Sequence, residues 1–193
     1  MARTAPTLER MTDSLALQLA PRVGATRAAA AGRVVPLLRA SLYPASCRDS
    51  DLKDYAAGRI LAEVLYRDAD AGTFDGIAHL TAGVVLVLSW LVPALASQTD
   101  AGDPRELARQ LAAQCGSGRN GAHVAKVLDH LLDGTFGAQV LEKLLADDQE
   151  ALFEVVLRLG EVTAWQAWAL AAAGDMDLEA IWVQIEQGLR DHP

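Results

Sequence analysis

The feature that most constrains the fold is a repeated order of helix-like segments along the chain. Residues 58–65 align with residues 121–128, since both segments begin with Gly, carry Ala at the fifth position and end with Val-Leu. The tripeptide Gly-Thr-Phe follows both segments after a short gap, at 72–74 and at 134–136. A unit repeated in this way predicts that each copy buries an apolar face against the other.

The rest of each copy repeats in the same order. An apolar run that ends in a tryptophan comes next, at 84–90 and at 155–165. A shorter helix-like segment follows it, at 103–116 and at 175–188. Because Ala, Leu and Val are abundant, the order of the four matches carries more weight than any single match.

Composition favours helices and an aliphatic core. Apolar residues make up 51% of the 193 residues and aromatic residues only 5%. Strands prefer β-branched and aromatic side chains, and no alternating pattern of strand type persists along the chain. The sequence therefore predicts an all-α multi-helix bundle. An N-terminal helical arm over residues 1–50 precedes a domain over residues 51–193, made of two tandem three-helix units at 51–117 and 118–190.

Charge is distributed unevenly. Residues 1–67 hold ten Arg and Lys against six Asp and Glu, a balance of +4, whereas residues 68–193 hold seven against nineteen, a balance of −12; together these give the net charge of −8. Nucleic acids need a cationic surface, so the acidic body argues against a nucleic-acid partner. It favours contact with a protein partner or with the arginines of the arm, and we expect a homodimer.

One apolar stretch, residues 77–96, raises the question of a membrane. A transmembrane helix needs about 20 apolar residues. The aligned segment at 151–173 carries three charged side chains, which suit a folded domain in water. We expect 77–96 to be the buried central helix of a bundle, with membrane association as the alternative. The polar residues and the proline that interrupt the stretch are His79, Thr81, Ser89 and Pro93.

The N-terminus carries no apolar core of a secretory signal before Glu9. We therefore expect a cytoplasmic protein. In that reducing compartment the two cysteines, Cys47 and Cys115, would be free thiols.

A glycine-rich segment at 116–121 matches the pattern of a dinucleotide-binding turn. That turn needs a strand before it, whereas a predicted helix precedes this one. No lysine follows the last glycine, so the phosphate-binding loop of nucleotide triphosphatases is also excluded. We interpret the segment as a hinge between the two units and expect no cofactor. A weaker hypothesis is anion binding by Arg119, Asn120 and Gly121.

The histidines give no clear catalytic or metal site. His123 and His130 lie seven residues apart with Lys126 between them, a pattern typical of a solvated helix face and not of a zinc site. His79 lies at the start of the apolar helix, where it is a candidate ligand-contacting residue or a satisfied core residue. We assign no catalytic residue and no metal ligand.

The tryptophans are the best functional candidates. Three of the four, Trp165, Trp168 and Trp182, fall within eighteen residues, and the first two share a helix face. Indoles anchor interfaces and line pockets, although they also fill cores.

Together these features favour a non-enzymatic interaction or regulatory protein that binds another protein through its acidic or Trp-bearing surface. One alternative is a protein that binds a small apolar ligand in a pocket between the repeats. A second is an enzyme of unknown reaction that uses His79, His123 or His130.

Overall fold

The computed structural model describes residues 32–42, 55–99, 102–116, 120–133, 135 and 137–191. In this part of the chain every regular element is a helix, which confirms the all-α bundle. Most of the predicted N-terminal arm, including Cys47, lies outside the described residues. The helices are α1 (residues 32–41), α2 (Ala56–Ala71), α3 (Asp75–Gln98), α4 (Pro104–Cys115), α5 (Gly121–Asp129), α6 (Ala138–Asp147), α7 (Gln149–Ala173) and α8 (Leu178–Asp191).

Three helices begin behind an aspartate that caps them. Asp103 accepts a hydrogen bond from the backbone N–H of Arg105 at 2.9 Å, immediately before Pro104 opens α4. Asp148 and Asp177 accept in the same way at the starts of α7 and α8, at 2.9 and 3.0 Å. These carboxylates satisfy backbone donors that have no partner within the helix and face its positive end.

The α2–α3 turn is built differently, around a buried aspartate of the preceding helix. Asp68 is 7% exposed, and its two carboxylate oxygens accept from the backbone N–H groups of Gly76 at 3.0 Å and Ile77 at 2.8 Å. Gly72 ends α2 with a φ of 66°, which favours glycine. A Cβ on Gly76 would lie 2.5 Å from the Asp68 carboxylate, so this close approach also requires glycine. Asp68 thus fixes the direction in which α3 leaves α2.

The two longest helices, α3 and α7, form the centre of the bundle and make the most extensive contact in it. They run in the same direction, because their first halves share a cleft while their ends meet where Gln98 lies beside Gly174. Helices α2 and α4 pack on α3, and helices α5, α6 and α8 pack on α7. Helix α1 crosses α7 at Gly160, where a Cβ would lie 3.0 Å from the Ser41 hydroxyl.

Helix α3 is apolar on nearly every side. Among the described residues it is the helix long and apolar enough to cross a membrane, with a mean hydropathy of 2.0 in its most apolar window. In the bundle, 61% of that window is buried against protein. Length and hydropathy alone are weak evidence for a span, because the core helix of a bundle has the same composition.

The tandem three-helix arrangement is not confirmed. The second segment contains four helices, α5 to α8, where the sequence predicts three. The Gly-Thr-Phe at 72–74 leads directly into α3, whereas Thr135 is followed by the additional helix α6. Most of the aligned positions do have similar burial, with two exceptions: Leu65 is half-buried while Leu128 is fully buried, and Ala62 is buried while Ala125 is half-buried. The remaining pairs are Leu61 with Val124, Val64 with Val127 (both buried), and Glu63 with Lys126 (both exposed).

One arginine of the predicted arm does contact the acidic body. Arg39 of α1 forms an ion pair with Glu179 of α8, and both side chains remain about half exposed. An exposed pair of this kind contributes less than about 1 kcal/mol. The ion pair links α1 to the start of α8 but contributes little to the stability of the contact between these helices.

Candidate functional site

Helix α7 leaves one stripe of its surface uncovered, and two indoles lie on it. Trp165 is 46% exposed and Trp168 is 50% exposed. Their rings meet edge to face, with centroids 5.7 Å apart and planes at 78°. This is a favourable arrangement for two aromatic rings. It leaves a substantial part of each indole open to solvent.

The stripe follows from the helical period of α7. Successive spacings of four and three residues place its members on one side of the helix. The opposite side is packed against the bundle, where Leu159, Thr163 and Ala167 are fully buried and the Thr163 hydroxyl donates to the Leu159 carbonyl at 2.7 Å. We call this line of exposed and half-exposed residues the tryptophan stripe: Glu154, Arg158, Glu161, Trp165, Trp168 and Ala172.

The first half of the tryptophan stripe is polar and already organised. Arg158 donates to the Glu161 carboxylate at 2.7 Å, one turn before Trp165. The Asn120 side chain donates to the Glu154 carboxylate at 2.6 Å, which joins the start of α5 to α7. The thiol of Cys115 lies near Arg158 and Glu161. Burial raises the pKa of this thiol, the charge of Arg158 lowers it and the charge of Glu161 raises it. Cys115 is a buried free thiol.

The structure does not bring the other candidate residues to the two indoles. Trp182 is 2% exposed and belongs to the hydrophobic core, because its position on α8 turns its ring inward, so it does not share the exposed surface of Trp165 and Trp168. His79 is half-buried in the second turn of α3. The first half of α3 lies beside the first half of α7, whereas Trp165 and Trp168 lie in the second half.

The anion-binding hypothesis finds little support. Asn120 adopts a left-handed conformation with φ of 63°, and its side chain is engaged with the Glu154 carboxylate. Gly121 is buried, and a Cβ there would lie 2.5 Å from the Cys115 carbonyl oxygen. Tight packing of α5 on the end of α4 thus explains this glycine. A carboxylate beside the α5 N-terminus opposes a bound anion. Arg119 lies outside the described residues.

His123 lies in α5 and His130 caps its C-terminal end. His130 contacts the Asp133 carboxylate at 2.6 Å, and that carboxylate also accepts from the backbone N–H and the hydroxyl of Thr135. The hydrogen bonds from Thr135, with a smaller contribution from His130, lower the pKa of Asp133 to about 2. His123 is half-buried on the preceding turns. Across the described ranges no group of three or more His, Cys, Asp or Glu is placed to hold a metal ion.

A cleft of about 230 Å³ opens between α3, α6 and α7, and sequence reasoning did not assign its residues. Its floor is formed by Thr81, Val85 and Leu152, which are buried. Its walls are half-exposed aliphatic side chains, with Glu142 as the charged residue of the lining. The wall residues are Ala78, Ala82, Leu86, Thr135, Ala138, Leu141, Glu142 and Leu145. The sequence signal for this cleft is the half-buried apolar face of the short helix α6.

Comparison with known proteins adds no relative. No family model, curated protein or solved structure matches this chain. The features of the described structure that suit binding are the tryptophan stripe of α7 and the cleft between α3, α6 and α7.

Proposed function

We propose that the protein is a non-enzymatic binding module that engages a basic segment of another protein through the tryptophan stripe of α7. The observation that carries the proposal is the exposed edge-to-face pair of Trp165 and Trp168. Each indole has a large apolar area, and the fold leaves about half of it unburied. Tryptophan is enriched among the residues that dominate binding energy at protein interfaces. A partner that covers the pair gains that unburied area.

Charge indicates the chemistry of the partner. Glu161, which pairs with Arg158, precedes the indoles by one turn, and Asp175 and Asp177 follow the end of α7. Residues 68–193 carry a balance of −12. Arginine stacks on indole faces and pairs with carboxylates, so a segment rich in arginine complements both properties of this surface. A second copy of the chain would set acidic surface against acidic surface, which favours a basic partner over a homodimer formed through the stripe.

Selection from a displayed library of amphipathic peptides tests the proposal and does not require the partner to be identified first. The library should vary in charge at fixed length and hydrophobicity. We expect selection on the full chain to enrich peptides with arginine and lysine, and their binding to weaken as salt rises. Synthetic copies of the enriched peptides, with twins in which the basic residues are replaced by glutamate, then allow titration.

Two substitutions locate the binding. Trp168→Ala and Trp165→Ala should each lower the affinity for the enriched peptide by about 30-fold. This corresponds to the roughly 2 kcal/mol that defines an interface hot spot. Tyr66→Ala is the matched control, because Tyr66 is an aromatic residue 63% exposed on α2. It should bind as the unaltered protein does.

Three outcomes would contradict the proposal. If both tryptophan variants bind the peptide as tightly as the unaltered protein does, the stripe is not the contact surface. Equal enrichment of acidic peptides would remove the argument from charge. A concentration-dependent dimer that dissociates on Trp168→Ala would assign the stripe to a second copy of the chain.

A further inference from the structure

The cleft between α3, α6 and α7 has a second property besides its apolar walls: its polar side chains are all acceptors. The Thr81 hydroxyl donates to the Ile77 carbonyl at 2.7 Å. The Thr135 hydroxyl donates to the Asp133 carboxylate at 2.6 Å. Each hydroxyl carries a single proton, so both oxygens can offer only lone pairs to anything in the cleft.

Glu142 adds a carboxylate to the same lining. It is half-buried on α6, and among the described residues it takes part in no hydrogen bond or ion pair. An ionised carboxylate accepts hydrogen bonds and donates none. The cleft therefore combines an apolar surface with acceptors and one negative charge.

We propose that this cleft binds a small aliphatic ammonium compound, with the hydrocarbon body between α3 and α6 and the ammonium group at Glu142. The proposal is independent of the tryptophan stripe. Helix α3 belongs to the first predicted unit and α6 to the second, so the cleft also lies where the apolar-ligand interpretation of the sequence expects a pocket.

Both chemistry and size restrict the ligand. An ammonium group supplies three donors and a positive charge to a lining that has neither. A fatty acid would bring a second carboxylate beside Glu142, and like charges at this distance repel. Pockets for drug-sized ligands measure about 300–1,000 Å³. A cleft of about 230 Å³ suits a shorter molecule with a single polar end.

Three probes of equal chain length test the proposal on the full chain: octylammonium, octanol and octanoate. Methyl resonances report where each one binds. Octylammonium should shift the methyl signals of Val85, Leu86, Leu141 and Leu145 in a saturable way. Octanol should bind more weakly, because it lacks the charge, and octanoate should bind most weakly.

Two variants separate charge from shape. Glu142→Gln should lower the affinity for octylammonium about fivefold, as expected for loss of a partly exposed ion pair. It should leave the affinity for octanol unchanged. Ala82→Phe places a ring in the cleft from an exposed wall position and should weaken both probes by about tenfold. The matched control is Glu106→Gln on α4, which makes the same chemical change outside the cleft and should alter nothing.

Octanoate binding as tightly as octylammonium would overturn the proposal. So would unchanged octylammonium affinity in Glu142→Gln, or methyl shifts confined to residues outside the cleft. If no probe shifts these methyl signals up to its solubility limit, the cleft is not a ligand site. Unchanged spectra of the unliganded variants away from the substitution would establish that each variant is folded.

Discussion

Helices α3 and α7 have almost the same length and lie side by side, yet they expose different kinds of surface to solvent. Helix α3 has 24 residues, carries no charge after Asp75 and packs against α2, α4 and α7. Helix α7 has 25 residues and keeps one polar and aromatic stripe uncovered. The comparison teaches that the bundle needs only one fully apolar helix at its centre. The second central helix is free to carry a binding surface on a rigid support.

The largest contrast we expect is between a core indole and an exposed one. Trp182→Ala should lower the free energy of unfolding by about 3–5 kcal/mol, since it removes a buried aromatic side chain. Trp168→Ala should lower it by about 1 kcal/mol, the centre of the range for single substitutions. Denaturant titration of both variants measures the difference. Equal losses would mean that Trp168 is part of the core in solution.

The next contrast tests whether the buried sides of the two helices are equivalent. Leu88 of α3 and Leu159 of α7 are both fully buried. Each leucine truncated to alanine should cost about 2–5 kcal/mol by lost transfer energy and cavity formation. A cost below about 1 kcal/mol for Leu159→Ala, measured by denaturant titration, would show that α7 is not a core helix.

The stability lost on removing the aspartate that caps the start of each central helix should differ between α3 and α7 by a smaller amount. Asp68→Ala leaves the buried N–H group of Ile77 and the part-buried one of Gly76 without their charged acceptor, which should cost about 2–3 kcal/mol. Asp148→Ala removes an exposed cap from α7 and should cost about 1 kcal/mol. Thermal unfolding of the two variants compares them. The reverse order would contradict the account of the α2–α3 turn.

The sequence predicts well those helices whose extent is set by local residue patterns. The apolar stretch at 77–96 lies within α3, because a long run without charges favours a helix that is mostly buried against its neighbours. The helix-like segment predicted at 103–116 also matches α4, which begins at Pro104 behind its cap Asp103, since both start signals are local. These features depend on residues within one turn of each other.

What the sequence does not predict depends on contacts between distant helices. Asp68 looks like part of a polar turn, and only the packing of α2 on α3 makes it a buried cap. The spacing of Trp168 and Trp182 cannot tell which indole faces the core, because that depends on where neighbouring helices sit around α7 and α8. The cleft at Glu142 arises from the gap between α3 and α6. The apolar face of α6 indicates contact with another helix, but no local pattern tells where a gap remains.

The smallest effect we expect concerns the turn after α5, outside the two central helices. The pKa of Asp133 is lowered to about 2, chiefly by the side-chain hydrogen bond from Thr135. A depressed carboxylate pKa stabilises the folded state above the unfolded value of 3.8, and this contribution is lost as pH falls towards about 2. Thr135→Val should move the pKa of Asp133 upward, measured by carboxyl NMR titration. An unchanged pKa in that variant would remove Thr135 as the cause.

The most direct test of the central claim, that the tryptophan stripe of α7 is open to a partner, is fluorescence quenching of single-tryptophan variants. Each variant keeps one of Trp165, Trp168 or Trp182 and replaces the other tryptophans with phenylalanine. Acrylamide should quench Trp165 and Trp168 efficiently and Trp182 weakly, because the first two are about half exposed and the last is 2% exposed. If Trp165 and Trp168 in the free protein are as protected as Trp182, the stripe is already covered and the account is contradicted.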